Sequence, residues 1–231
     1  MKIYSISDLH LSENHDKPMD IFGQHWEGHF EKIRDNWITH AEAEDIVLMP
    51  GDLSWAMRLS EARADFLRIA MLPGKKVILR GNHDYWWSSL SQVRSTLPPG
   101  VFALQNDCFV FGSVVIGGSR GWTCPGASGY APEDAKVYNR ELIRMEMSLS
   151  QAAGYGGETL IAMIHFPPFN EKREPSGFTS LFRQYGVKKV VYGHLHDKSA
   201  ASAFEGEMDG ISYYLVSCDH TDFKLRLIHE E

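Results

Sequence analysis

Histidine, aspartate and asparagine recur in five short motifs that are spread over most of the 231-residue chain. Each motif follows a short apolar run, and the side chains in question are Asp8 and His10, Asp52, Asn82, His165, and His194 with His196. In an extended segment, residues i and i+2 point the same way, so Asp8 and His10 can face one point, and the last pair can do the same. Carboxylate, amide and imidazole groups together are typical ligands of manganese, iron or zinc. The motifs therefore predict a metal site.

The number of predicted ligands bears on how many ions the site holds. Seven side chains are too many for one tetrahedral ion. Two ions that share one carboxylate would use all seven, and the ions of two-metal sites lie about 3.5–4 Å apart. No thiolate belongs to the set, which argues against a structural zinc.

The elements that position these side chains are predicted from the apolar pattern. Near-continuous apolar runs predict buried strands over residues 2–7, 46–49, 76–79, 160–164 and 187–192. Helical spacing and start or stop signals predict helices over residues 26–43, 60–71 and 133–153. The stretches 101–118 and 211–228 are predicted to be neighbouring strands with short turns. We therefore expect one α/β (α+β) domain over residues 1–231 that mixes βαβ units with hairpins, and in which ligands sit beyond the carboxyl ends of the strands.

Composition restricts the class of protein further. The formal net charge of -7 disfavours a non-specific nucleic-acid binder, although bound cations would still allow a phosphate substrate. The separated residues Cys108, Cys124 and Cys218 predict buried thiols rather than disulfides or a CxxC metal motif. No segment resembles a signal peptide or approaches the roughly 20 apolar residues of a membrane span, so a cytoplasmic enzyme without a membrane partner is expected.

The motifs together resemble the signature of a known superfamily. Asp8-x-His10, Gly51-Asp52, Gly81-Asn82-His83-Asp84, His165 and Gly193-His194-x-His196 stand in the order of the calcineurin-like metallophosphoesterases. The resemblance covers residues 8 to 196 and is closest to small bacterial-type phosphoesterases. It implies two packed mixed β-sheets flanked by helices, a four-layer αββα sandwich.

The resemblance also implies a role for each motif residue. Two divalent metal ions are expected, manganese first and iron or zinc as alternatives. Asp8, His10 and His196 would hold the first ion, Asn82, His165 and His194 the second, and Asp52 would bridge both. A metal-bridging hydroxide would attack the phosphorus in line. His83 would donate a proton to the leaving oxygen, and Asp84 would orient the imidazole of His83.

Residues outside the motifs leave alternatives open. Arg120, in the run Gly118-Ser119-Arg120-Gly121-Trp122, could hold phosphate oxygens bidentately or could be a solvated surface side chain. Trp55 and the aromatic residues 85–87 could stack on a substrate ring or pack between sheet and helix. The polar segment 11–27 is predicted to be a loop at the rim of the site.

The predicted function is the metal-dependent hydrolysis of a small, soluble phosphodiester or phosphomonoester. A protein phosphatase is disfavoured because the run Gly51-Asp52-Leu53-Ser54-Trp55 lacks the arginine of that subfamily. Two alternatives remain: a metal-binding scaffold without turnover, and a phosphodiesterase that processes nucleotides or nucleic acid. Stable binding of nucleic acid is not expected, because the acidic chain has no run rich in lysine and arginine.

Overall fold

Two compact units make up the chain in the computed structural model, which describes residues 1–13 and 17–231. Unit 1 comprises Met1–Ala103 together with Val216–Glu231, and unit 2 comprises Leu104–Leu215. Unit 1 is therefore discontinuous in sequence, whereas unit 2 is continuous. The single domain expected over residues 1–231 stays a prediction.

The described residues form two mixed sheets and the helices that accompany them. The strands are β1 Lys2–Ser5, β2 Ile46–Met49, β3 Lys75–Ile78, β4 Val101–Ala103, β5 Cys108–Phe111, β6 Val114–Ser119, β7 Thr159–Ile164, β8 Lys189–Tyr192, β9 Gly206–Met208, β10 Ile211–Leu215 and β11 Arg226–Glu230. The helices are α1 His29–His40, α2 Leu59–Ala70, α3 Leu90–Thr96, α4 Asp134–Gly154, α5 Gly177–Gln184 and α6 Asp197–Ala200.

The sheet of unit 1 has five strands in the order β11-β1-β2-β3-β4. Strands β1 to β4 pair in parallel, and β11 pairs antiparallel with β1. All four residues of β2 are buried, as expected of a strand that is covered on both faces. Helix α1 buries Phe30, Ile33 and Trp37, which recur at helical spacing. The parallel strands place the residues that follow β1, β2 and β3 at one edge of this sheet.

The sheet of unit 2 has six strands in the order β5-β6-β7-β8-β10-β9. Strands β6, β7, β8 and β10 are parallel, and the two edge strands are antiparallel to their neighbours. Helix α4 lies close to β6, where the backbone N–H of Gly118 donates to the Ser148 hydroxyl at 2.7 Å. A side chain at Gly117 would lie 3.0 Å from that same hydroxyl, so the glycine permits the close approach of helix and strand.

The fold class that the sequence predicts, α/β with two mixed sheets flanked by helices, is confirmed. Each of the five strands that lead into motifs is present, as are the three predicted helices. Buried Cys124 and Cys218 are free thiols, as expected, and Cys108 is half-buried.

The predicted pairing of neighbouring strands near the end of the chain is wrong. Residues 211–228 do not form one hairpin, since β10 pairs in parallel with β8 of unit 2 and β11 pairs with β1 of unit 1. The stretch 101–118 divides in the same way: β4 joins the sheet of unit 1, and only β5 and β6 form a hairpin. Local patterns identify a strand but do not identify its partner.

The segment 11–27 is partly anchored in unit 1. Two 3₁₀ turns, Met19–Phe22 and Gln24–Trp26, bury Met19 and Trp26, while residues 14–16 of the predicted rim loop lie outside the described residues. Within the described ranges, every helix is too short or too polar to cross a bilayer.

Candidate metal centre

Four of the seven predicted ligands have positive φ angles, a backbone conformation that residues other than glycine rarely adopt. The φ angles are 59° at Asp8, 47° at His10, 53° at Asp52 and 73° at His194. Each such residue costs about 1–3 kcal/mol and persists where surrounding contacts fix it. The N–H of Asp8 donates to the carbonyl of Gly51, and the N–H of His10 donates to that of Asp52, both at 3.0 Å. Asp8 and His10 therefore face one point through a strained turn, and not through the extended segment that the sequence suggests.

Asp8, His10 and Asp52 form a compact group in unit 1, called here the carboxylate cluster. Their exposed fractions are 0%, 4% and 1%. Possible ligand atoms of His10 and of Asp52 each lie within 4.8 Å of one on Asp8, and His10 Nε2 is 3.9 Å from Asp52 Oδ2. Two buried carboxylates this close repel each other unless a cation or a proton compensates their charge. The donor chemistry of the carboxylate cluster therefore fits a divalent metal ion.

Hydrogen bonds orient both carboxylates of the cluster. The hydroxyls of Ser7 and Ser217 donate to Asp8 Oδ2, the latter at 3.2 Å. The backbone N–H of His83 donates to Asp52 Oδ1 at 2.8 Å. Such outer contacts fix the direction in which a ligating oxygen points.

The imidazole of His83 lies beside the carboxylate cluster and is half-buried. Its ring centroid is 5.8 Å from that of His10 and 4.9 Å from that of Trp55, which itself stacks on His10 at 4.6 Å. The ring is therefore partly accessible to solvent, unlike the fully buried side chains of the core. Neighbouring Asn82 is also half-buried in the loop after β3.

The side chain of Asp84 accepts hydrogen bonds from two loops of unit 1, and its expected role in orienting His83 stays a prediction. It is fully buried, and Oδ1 accepts hydrogen bonds from the backbone N–H groups of Leu53 and Ser54 and from the indole of Trp86. Oδ2 accepts from the backbone N–H groups of Asp52 and Gly81 at 2.9 and 2.7 Å.

Burial raises the pKa of Asp84 to about 6, and the backbone N–H donors oppose that rise. Near neutral pH the carboxylate is therefore ionised and joins the loop after β2 to the loop after β3.

The remaining predicted ligands, His165, His194 and His196, lie in unit 2 and are called here the histidine cluster. His165 is fully buried after β7, and its carbonyl accepts from the N–H of Gly193 after β8 at 3.1 Å. The rings of His165 and His194 are 5.2 Å apart and nearly perpendicular. His196 is half-buried at the start of α6. The parallel order of β7 and β8 brings the cluster together at one sheet edge.

Arg120 follows β6 at the same edge of the unit 2 sheet. Its carbonyl accepts from the N–H groups of His165 and Phe166, and its side chain is only 12% exposed. The guanidinium lies over the ring of Trp122 and 3.6 Å from the carboxylate of buried Glu141. Arg120 is therefore not a solvated surface side chain, because Glu141 and Trp122 fix the position of its guanidinium.

Glu141 of α4 also contacts Arg144 at 2.8 Å and Arg140 at 3.9 Å. We expect Glu141→Gln to lower the free energy of unfolding by about 2 kcal/mol, because three arginines lose their carboxylate partner. The loss is moderate because two of these arginines are partly exposed and water compensates their charge. Urea denaturation measures the change. Glu146→Gln on the exposed side of α4 is the control and should stay within about 0.5 kcal/mol. Equal stability of the two variants would show that the contacts of Glu141 with these arginines do not stabilise the fold.

Several contributors to the centre carry no local sequence signal. Ser217 lies far from Asp8 in the chain and reaches it only because residues 216–231 return to unit 1. Trp55 stacks on His10, and of the neighbouring aromatic residues Trp86 and Trp87 are buried in the core of unit 1. The packing interpretation is therefore confirmed for Trp86 and Trp87.

Comparison with known proteins assigns the chain to a family. The profile of the calcineurin-like phosphoesterases matches residues 1–198, and the chain belongs to that family. It is accordingly a phosphoester hydrolase by class, and its aspartates and histidines include groups that could bind metal ions.

Solved structures with a similar fold include two with low sequence identity. One is a protein of unknown function, AQ665, from Aquifex aeolicus: TM-score 0.52, 15% identity, 98% of this chain and 95% of that chain covered. The other is the phosphopantetheinyl hydrolase PptH from Mycobacterium tuberculosis: TM-score 0.58, 15% identity, 100% of this chain and 96% of that chain covered. At this identity the likeness concerns the fold alone. No curated protein matched the chain in sequence.

Proposed function

We propose that the protein hydrolyses a small phosphoester with two divalent metal ions, of which the carboxylate cluster holds one and shares the other. The observation that carries the proposal is the pair of buried carboxylates, Asp8 and Asp52, beside His10. Their mutual repulsion is relieved when a cation binds, and His10 adds a nitrogen donor.

The family supports the assignment of the other ligands. Asp8, His10 and His196 are proposed for the first ion, Asn82, His165 and His194 for the second, and Asp52 as the bridge. Oxygen and nitrogen donors without thiolate suit manganese first, with iron or zinc as alternatives. When bound, such ions would neutralise phosphate charge and activate a water molecule.

The chain's own residues would then bind the substrate and move one proton. We assign proton donation to His83, whose half-buried imidazole lies beside the carboxylate cluster and is not needed as a ligand. Its proton would go to the leaving oxygen. Arg120, held by Glu141 and Trp122, would bind a phosphate oxygen. Asp84 contributes indirectly, because it fixes the backbone around Asp52 and Gly81.

Metal removal and return is the first test. Protein stripped with a chelator should lose hydrolysis of 4-nitrophenyl phosphate and of bis-4-nitrophenyl phosphate, and manganese should restore at least one of them. Phosphopantetheinyl esters belong in the same panel, because a protein of similar fold is a phosphopantetheinyl hydrolase. Full activity in the metal-free protein would contradict the proposal. Two bound ions with no activity in any assay would favour a scaffold without turnover.

The role of His83 has a separate test. We expect His83→Ala to lower kcat by about 10²–10⁴-fold while the metal content per chain is unchanged, since proton transfer is lost but no ligand is. The deficit should be smaller for 4-nitrophenyl esters, whose leaving group needs little protonation. His40→Ala on α1, where the ring is exposed, is the matched control and should stay within about twofold. Unchanged kcat in His83→Ala would remove this assignment.

The substrate is proposed to be soluble and small, and the enzyme to act in the cytoplasm without stable binding of nucleic acid. The net charge of -7 supports the last point, because it opposes approach of a polyanion.

A further inference from the structure

A cavity of about 310 Å³ opens in unit 2 beside the histidine cluster. His194 and Phe166 line it, and their rings are 4.2 Å apart. The other walls come from the loop after β6, the loop after β7 and the residues around α6. The volume is at the lower end of the range of small-molecule sites.

The inner wall of the cavity is apolar. Phe169, Tyr192 and Leu195 line it together with Cys124. Burial raises the pKa of the Cys124 thiol to about 12, and that thiol donates to the carbonyl of Pro167, so it is a neutral wall group rather than a nucleophile. This wall favours an alkyl or aryl body.

Charge in the cavity opposes an anionic occupant. The described residues that line it include no lysine or arginine. The carboxylate of Glu171 lies at its rim, where the hydroxyl and N–H of Ser128 donate to it and lower its pKa. A second phosphate or a carboxylate would therefore be repelled, whereas a neutral group would not. The hydroxyls of Ser199 and Ser202 at the same cavity donate to the backbone carbonyls of His196 and Ser199, so their oxygens can accept a hydrogen bond from a neutral polar substituent.

We propose that this cavity binds the uncharged alcohol portion of the phosphoester, the alkyl or aryl group attached through oxygen to the phosphorus. This inference rests on the proposed function, in which His194 is a metal ligand and the phosphate therefore sits next to the cavity mouth. At about 30 Å³ per water-sized group, the cavity accepts on the order of ten non-hydrogen atoms. The substrate class is thus a phosphoester of a mainly apolar alcohol, not a polyphosphate.

The test uses n-alkyl phosphates from methyl to butyl, with the metal-loaded full chain. Each buried methylene should raise kcat/KM about fourfold, chiefly through KM, so that butyl phosphate exceeds methyl phosphate by roughly 60-fold. If the enzyme cleaves only diesters, the corresponding methyl n-alkyl diesters take their place.

A large side chain in place of Gly129 is expected to fill the cavity. A Cβ at Gly129, which lines the cavity, would meet no heavy atom within 4 Å. We expect Gly129→Phe to reduce the butyl-to-methyl preference to less than about fivefold, and Ala203→Leu to reduce it as well. Gly154→Phe is the matched control, because Gly154 also has open space but does not line the cavity. The butyl-to-methyl preference of Gly154→Phe should equal that of the unaltered protein.

A binding measurement separates the two proposals. Calorimetry with non-hydrolysable n-butylphosphonate and methylphosphonate should show the same roughly 60-fold preference, again lost in Gly129→Phe. Chain-length-dependent binding without any turnover would overturn the proposed function and leave the cavity assignment standing. Turnover with equal kcat/KM for methyl and butyl esters, or a preference that survives both filling variants, would overturn the cavity assignment alone.

Discussion

Asp84→Asn is expected to lower the free energy of unfolding by about 3 kcal/mol. An asparagine can offer only one oxygen, so its amide group must face either the N–H groups of Asp52 and Gly81 or those bound by Oδ1. At least two buried donors then lose their acceptor, and each costs about 1–3 kcal/mol. Urea denaturation at pH 7.5, where the carboxylate is ionised, measures the loss.

The same variant should also lower kcat/KM by about 10–100-fold, because the backbone that carries Asp52 is no longer fixed. Asp35→Asn, at an exposed position on α1, is the control and should change stability by less than about 0.5 kcal/mol. A stable Asp84→Asn protein would show that the carboxylate does not join the two loops. A large effect on the pH dependence of kcat with no loss of stability would instead support the sequence-based expectation that Asp84 acts through His83.

Gly81→Ala is expected to damage the centre more directly. A Cβ at position 81 would lie 2.0 Å from Asp52 Oδ1 and 2.4 Å from the backbone nitrogen of Asp52. Neither atom can move away without displacing the loop after β2, since that nitrogen is already bound by Asp84. Overpacking of this kind costs about 1–3 kcal/mol, and a displacement near 1 Å can lower the rate about 100-fold.

Three measurements check the expectation for Gly81→Ala: metal ions per chain by elemental mass spectrometry, kcat/KM, and the urea midpoint. Gly154→Ala is the matched control, because its Cβ would meet no heavy atom within 4 Å, and it should bind metal normally. Normal metal content and activity in Gly81→Ala would show that the close approach does not position Asp52.

The sequence predicts the centre well where its information is local. The strands that precede Asp8, Asp52, Asn82, His165 and His194 are largely apolar runs, and each of these side chains lies within four residues of the end of its strand. Parallel neighbours then bring these side chains to the carboxyl edge of each sheet, which is a general property of such sheets.

Other features depend on contacts between distant parts of the chain. The pattern of residues 226–230 indicates a strand, but only the folded unit shows that it pairs with β1 rather than with β10. Ser217 reaches Asp8 through a separate parallel bridge to Ser7, which the local pattern does not predict either. The motif suggests only that Asp84 is a partner for His83. The five donors that Asp84 binds lie in the loops after β2 and β3, and their convergence on one carboxylate is visible only in the folded unit.

The discontinuity of unit 1 has a consequence for how the protein is made. Strand β1 is translated well before its partner β11, because all of unit 2 lies between them in the chain. At 5–20 residues per second, that delay is on the order of ten seconds or more. During it, one edge of β1 exposes backbone N–H and C=O groups that can pair with another chain. The nascent polypeptide is therefore open to such pairing with another chain until β11 has been synthesised.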